Sequence, residues 1–369
     1  MPNGLERGTI TCVETFLMKR DNGRPYHWRV GLPERTGKGF DTWIRLETND
    51  GVEGWAFVGH YGAATAQITR DMVADRILGH SALRTEELWH WIFELDRLEE
   101  YPIWMFGSID VAAWDIKAKY AGMPLYLLLG GARTEIPSYA SLTTYFDDQE
   151  LLDTCRALVD IGYTAIKLHG VGEVKWAIRQ AEMVRELVGP DFVLMEDASG
   201  GYDYLDALRY GRVLDTLDFF WYEEPMRDFS IGAHAQLAAE LKVPILGAET
   251  ADGAHFNASE WIARRGCDIM RTCVEHKGGI TGGLKVAQLA ESFEMRAEVH
   301  GGALPNIHLI CAIPNTTYYE ALVYGRDEAA IESVKALQTV SPPQVPGIGW
   351  EVDAEDLRKT AYATSVARL

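Results

Sequence analysis

Short apolar runs that each end in an acid recur at a fixed interval in the middle of this chain. Phe192-Val193-Leu194-Met195-Glu196-Asp197, Phe219-Phe220-Trp221-Tyr222-Glu223 and Ile245-Leu246-Gly247-Ala248-Glu249 all close on a carboxylate, and Asp197, Glu223 and Glu249 stand 26 residues apart. Apolar runs this short are the pattern of buried strands. A strand, a helix and two loops occupy about that many residues, so the interval predicts consecutive βα units of a parallel sheet or barrel. Carboxylates at the C-terminal ends of neighbouring parallel strands converge and repel unless a divalent cation holds them together. Three merely solvated acids would not account for the equal spacing.

The alternation extends beyond these runs. From Ile136 onward, strand-like segments (Ala165-Ile166-Lys167, Asp268 to Arg271, Met295 to His300) alternate with helical ones (Glu150 to Val159, Val174 to Leu187). Some 200 residues of such alternation predict a TIM-type (β/α) barrel over 131–334. The first third differs. Thr42 to Thr48 alternates as a half-exposed strand, Asn49-Asp50-Gly51 is a hairpin turn, and Val52 to Ala56 returns. Residues 65–129 then turn helical, with Ile109, Ala113 and Ile116 on one face, up to Gly130-Gly131. Residues 1–130 therefore form an α+β capping domain, and the segment 335–369 is expected to pack back on it.

Composition excludes several classes. A formal net charge of −19 argues against a nucleic-acid partner, and no run reaches the length of a membrane span. The start lacks a signal pattern, and the five cysteines are scattered without CxxC spacing, so a reducing cytoplasmic setting is expected. The same negative charge means that an anionic ligand needs its own local positive groups.

Such groups flank the acids. Lys167 and His169, two apart on a strand, share a face, and His300 ends a later strand. In a closed barrel His169 and His300 would face each other across the cation. That suits removal of a proton α to a carboxylate, with the developing negative charge met by metal and cationic side chains. Histidine exchanges protons near neutrality.

At this point the sequence resembles the enolase superfamily, specifically its mandelate-racemase-like branch, which includes acid-sugar dehydratases. The likeness rests on Ala112-Ala113-Trp114-Asp115-Ile116-Lys117, Leu128-Leu129-Gly130-Gly131, Ile166-Lys167-Leu168-His169, Asp197-Ala198-Ser199, Trp221-Tyr222-Glu223-Glu224-Pro225, Gly247-Ala248-Glu249, Gly278-Gly279-Ile280-Thr281, His300 and Glu320. The resemblance implies Mg2+ ligation by Asp197, Glu223 and Glu249. It implies a cation near the substrate carboxylate at Lys167, a base at His169, and an acid at Glu320 that hydrogen-bonds an enediolate oxygen. It also implies a small-molecule carboxylate substrate and a homo-oligomer. Glu224 is better suited to supporting a ligand than to ligation.

The chain departs from the family at two places. His169 replaces the second lysine of the KxK motif. Cys273 stands where an aspartate usually orients the seventh-strand histidine. Either Glu275 takes over that part, or His300 works as a general acid without a partner. Arg271 is either a core ion-pair partner or a substrate contact. His60 and Tyr61, with Tyr26 and His27 on a second loop, are candidate substrate contacts, since such loops cover the mouth in the family. Their polar and aromatic character suits a hydroxylated substrate. Dehydration of an acid sugar to a 2-keto-3-deoxy acid is the expected reaction. A racemase or epimerase using the same enolisation is the alternative, and a non-catalytic binding protein is the reading from another class.

Overall fold

The computed structural model describes residues 5–21, 25–59, 61–325 and 327–369. A four-stranded antiparallel sheet forms the cap, from β1 (Ile10–Arg20), β2 (Gly39–Thr48), β3 (Glu53–Val58) and, from the far end of the chain, β13 (Ala363–Arg368), in the order β13-β1-β2-β3. The C-terminal strand thus pairs with β1. Of the segments read as a hairpin, Thr42 to Thr48 lies in β2 and Glu53 to Ala56 in β3, with Val52 just before it.

Helix Ile103–Ala121 packs on β3 and is buried nearly all round, as a helix between two layers must be. Its approach is so close that a Cβ at Gly54 would collide with the Ala112 carbonyl. The fully buried Asp115 accepts from Trp55 N at 3.0 Å and Ile348 N at 2.8 Å, so one carboxylate ties β3 to the C-terminal segment.

The remainder is a curled sheet of parallel strands: β4 (Ile136–Ser141), β5 (Ala165–His169), β6 (Val193–Asp197), β7 (Tyr222–Glu223), β8 (Ile245–Gly247), β9 (Ile269–Thr272), β10 (Ala297–Val299) and β11 (Tyr319–Leu322), with β12 (Thr339–Val340) added antiparallel on β4. Helices follow the strands, and Asp147, Glu173, Asp203, Ser230 and Asp327 each cap one by accepting its first free N–H groups. The βα alternation is as the sequence predicts. Among the described residues no ladder joins β10 to β11, however, so the ring is open there. Ala297 N still donates to Asn315 O (2.8 Å) across that gap, and the Glu298 carboxylate accepts from Thr316 Oγ1 (3.0 Å), Thr317 N (3.1 Å) and Thr317 Oγ1 (2.7 Å). Among the described residues no helix is long and apolar enough to cross a membrane.

Inside the curl, strand periodicity sorts residues into layers. Tyr139, Ala165, Met195, Trp221, Leu246 and Ile269 form a buried apolar plug. Two residues further along the strands, on the same face, come Ser141, Lys167, Asp197, Glu223 and Arg271. The plug therefore floors a polar layer at the C-terminal rim, where parallel barrels carry their sites.

A second buried acid joins the two parts. Asp110 of the cap helix accepts from Thr281 N at 2.9 Å and Thr281 Oγ1 at 2.6 Å, capping helix Gly279–Glu291 from outside. Burial pushes its carboxyl up to about 7. Folding thus raises this pKa, so between about 4 and about 7 the folded chain keeps a proton that the unfolded chain has lost. The resulting stability is full below that window and is lost as pH rises through it, by up to about 4 kcal/mol. Asp110→Asn is expected to flatten the fall in melting temperature between pH 5 and 8.5. Parallel slopes for the two proteins would show that Asp110 does not titrate in that range.

Candidate active site

Register brings the three acids together. His169 pairs with Asp197 and Asp197 with Glu223 across β5, β6 and β7, and Glu249 lies two residues beyond the end of β8. The backbone at these strand ends is strained: Ser199, Glu224 and Ala248 have positive φ values of 47°, 40° and 69°. Such non-glycine outliers persist only where surrounding structure enforces them. Here they flank all three acids. Lys277, itself buried, donates to Ala248 O (2.7 Å) and Ala251 O (2.8 Å), clamping the turn that carries Glu249.

Two cations lie among the carboxylates. Lys167 Nζ is 2.8 Å from Glu223 Oε2, 2.8 Å from Glu320 Oε1 and 3.4 Å from Asp197 Oδ2. Arg271 Nε is 2.8 Å from Glu223 Oε1 and 3.5 Å from Glu249 Oε2, while Nη2 is 2.9 Å from Glu320 Oε2 and donates to Tyr139 Oη at 3.1 Å. Of the two readings of Arg271, the structure places it in a core ion network, wholly buried.

The histidines flank this network. His169 Nε2 is 3.0 Å from Asp197 Oδ2. His300 Nδ1 lies 3.3 Å from Glu249 Oε2 and 3.1 Å from Glu320 Oε2. Burial alone would lower the His300 pKa, but Glu249 and Glu320 outweigh it and push it up to about 10. Against its own burial, Asp197 is held well below the usual carboxylate range by His169 and Lys167.

Among the described residues no three metal-binding groups form a ready cage, because the carboxylates turn toward Lys167, Arg271 and the histidines. The donor set nevertheless suits a hard divalent cation, being all oxygen and on adjacent strands. The charges suit it too. Among the described residues, Asp197, Glu223, Glu224, Glu249 and Glu320 face Lys167, Arg271 and Lys277 as permanent cations. Burial and neighbouring carboxylates raise Glu223 to about 7 and Glu224 to about 8, the mark of negative charge awaiting a partner. Glu224 accepts from Glu249 N at 2.9 Å and so supports its neighbour's position.

The other candidates are dispersed. Glu275 is held by Asn306 Nδ2 at 3.1 and 2.9 Å, and the buried Cys273 accepts from His276 N. Tyr26 pairs through its backbone with Arg35, and this small hairpin docks on the strand-end loops: Trp28 O accepts from Thr144, Val30 N donates to Val171 O, and Arg29 donates to Ser199 O. His27 is turned back onto Leu32 O and Phe146. Tyr61 packs against Trp104 at 4.5 Å. His60 lies outside the described residues.

Two further residues belong to the rim. His276 stacks on His300 with centroids 5.6 Å apart, and Tyr324 lies within electrostatic reach of Glu320, Tyr26 and Glu275. The position of His276 in the turn before Gly278-Gly279 was the available signal for the first. Nothing in the sequence singles out the second.

Comparison with known proteins decides the family. Residues 150–357 match the enolase C-terminal domain-like family, and residues 36–130 match the mandelate racemase / muconate lactonizing enzyme N-terminal domain. The chain belongs to the enolase superfamily. It is 30% identical over 329 residues to an arabinonate dehydratase of Saccharolobus solfataricus, covering 83% of this chain and 87% of that protein. It is 29% identical over 286 residues to an L-talarate/galactarate dehydratase of Salmonella typhimurium, covering 74% and 71%. The structure of D-glucarate dehydratase from Agrobacterium tumefaciens, complexed with magnesium, superimposes with a TM-score of 0.85 at 30% identity, over 97% of this chain and all of that one. The chain is thus an enzyme of the hydro-lyase kind.

Mg2+ is expected to raise the melting temperature, since a ligand that binds only the folded state stabilises it. Asp197→Asn is expected to remove most of that rise in a thermal-shift titration. An equal rise in wild type and variant would place the binding elsewhere.

Proposed function

We propose that the enzyme dehydrates an acid sugar, an aldonate or aldarate, to a 2-keto-3-deoxy acid with Mg2+ as cofactor. The observation that carries this reading is the position of the two histidines. His169 lies against Asp197 at one end of the acidic row, and His300 lies against Glu249 at the other. A substrate carboxylate over the row would therefore present its α-carbon between two proton-transfer groups.

Asp197, Glu223 and Glu249 would hold the magnesium, which when bound supplies positive charge that acidifies the α-proton of the substrate. His169 takes that proton. Lys167 offsets the negative charge that develops, from a buried position where it interacts strongly. His300 protonates the β-hydroxyl as its C–O bond breaks, so water leaves and the enol ketonises. Geometry, rather than the state of charge in the resting protein, supports these parts. The rim adds Tyr26, Tyr324 and Arg29, polar and aromatic groups that suit a hydroxylated chain.

A racemase would use the same first step but needs each group both to remove and to return the α-proton, one on each face, which unlike surroundings disfavour. His169 and His300 are not equivalent here, since one contacts a single carboxylate and the other lies between two.

A panel of aldonates and aldarates, screened with Mg2+ for 2-keto-acid formation, is expected to yield at least one substrate. Its turnover should vanish in EDTA and fall by about 10²–10⁴-fold in His169→Asn. Deuterium appearing at the α-carbon of recovered substrate without keto acid would favour racemisation. Binding of Mg2+ with no turnover across the panel would favour a non-catalytic protein.

A further inference from the structure

Cys273 leaves His300 without the carboxylate that its family position would supply, and the structure offers a different one. Glu275 is turned to Asn306, which donates to both its oxygens, and among the described residues it makes no ion pair with His300. The Cys273 sulfur is engaged by His276 N. The two carboxylates that reach His300 Nδ1 are Glu249 at 3.3 Å and Glu320 at 3.1 Å. Nδ1 is enclosed and lies between them, aligned on neither as a straight hydrogen bond. Glu249 belongs to the cation-binding row, which leaves Glu320.

The surroundings of Glu320 fit that part and not the one implied by family resemblance. Its Oε1 takes Ser141 Oγ at 2.8 Å and Lys167 Nζ at 2.8 Å. Its Oε2 takes Arg271 Nη2 at 2.9 Å and Gly301 N at 2.9 Å, besides facing His300. Two permanent cations and two neutral donors thus converge on these oxygens, which favours the ionised form. A group so surrounded is an acceptor only and has no proton to offer an enediolate oxygen.

We propose that Glu320 is the positioning carboxylate of His300, replacing from the eighth strand the aspartate missing at Cys273 on the sixth. Glu320 holds the proton of His300 on Nδ1, and Nε2 is left to act toward the substrate. The direction of that action rests on the dehydratase reading; the pairing does not.

The test is the imidazole 15N spectrum of Mg2+-loaded enzyme labelled at histidine, which needs no substrate. His300, assigned by its loss in His300→Asn, is expected to carry a proton on Nδ1 in wild type. Its 15N shifts should move in Glu320→Gln and stay near wild type in Glu275→Gln. A bare Nδ1 in the wild-type spectrum would overturn the proposal even if Glu320→Gln fails to fold. Unchanged His300 shifts in Glu320→Gln would overturn it too, and would assign the nitrogen to Glu249. With a substrate in hand, kcat should fall at least 100-fold in Glu320→Gln with KM within threefold. Adding Glu320→Gln to His300→Asn should then cost far less than Glu320→Gln costs alone, the remainder reflecting its pairs with Lys167 and Arg271. Additive losses would contradict the pairing, whereas failure to find any substrate would leave the 15N result standing and sink only the dehydratase reading.

Discussion

The buried run of charges from Lys167 through Glu223 and Arg271 to Glu320 is the constraint on which the site depends. Each of these four side chains is at most 1% exposed, and they come from β5, β7, β9 and β11. Burying charges is costly unless every one is paired. Removal of one partner would strand the others, typically at about 3–5 kcal/mol. The network therefore tolerates few displacements of the strand ends, and this rigidity keeps His169 and His300 on their respective flanks. It also explains how an open ring can hold a site. Glu320 on β11 is reached across the interior by Lys167 and Arg271, so the missing ladder between β10 and β11 does not free the eighth strand.

Outside the mouth, single buried acids join the parts of the molecule. Asp110 caps the helix after β9 from the cap domain, and Asp115 binds β3 to the C-terminal segment. Between them the cap helix is fixed against the barrel, and a Cβ at Gly107 would press on Gly279 N at 2.7 Å. Glycine at that point lets the two backbones meet. The cap is thereby a fixed wall of the site on this side, while the hairpin around Trp28 leans on loops of the opposite rim.

Much of this was legible because it is local. Buried strands of a βα unit announce themselves as short apolar runs, and an acid closing each run marks the rim. Two-residue periodicity placed Lys167 and His169 on one face. The same rule put Arg271 on the inner face but could not name its partners, since Glu223 and Glu320 are 48 and 49 residues away in sequence and only the curl of the sheet brings them together. The open ring was illegible for a similar reason: whether β10 pairs with β11 is set by how the two ends of the curled sheet meet, which neither segment encodes alone. The replacement at Cys273 was visible, yet its consequence was not, because Glu320 comes from a different strand than the residue it stands in for. The loop candidates were the least legible. His27 is turned onto its own hairpin, Tyr324 carries no motif that would have set it apart, and only the turn before Gly278-Gly279 pointed to His276.

The central claim is that three strand-end carboxylates share one divalent cation beside Lys167 and Arg271. Anomalous scattering from a crystal soaked in Mn2+ tests it most directly. The account predicts a single strong peak at the mouth, with oxygens of Asp197, Glu223 and Glu249 at roughly 2.0–2.2 Å, the range for small hard divalent cations. A peak elsewhere, or none while Lys167 and Arg271 keep their contacts with all three carboxylates, would contradict it.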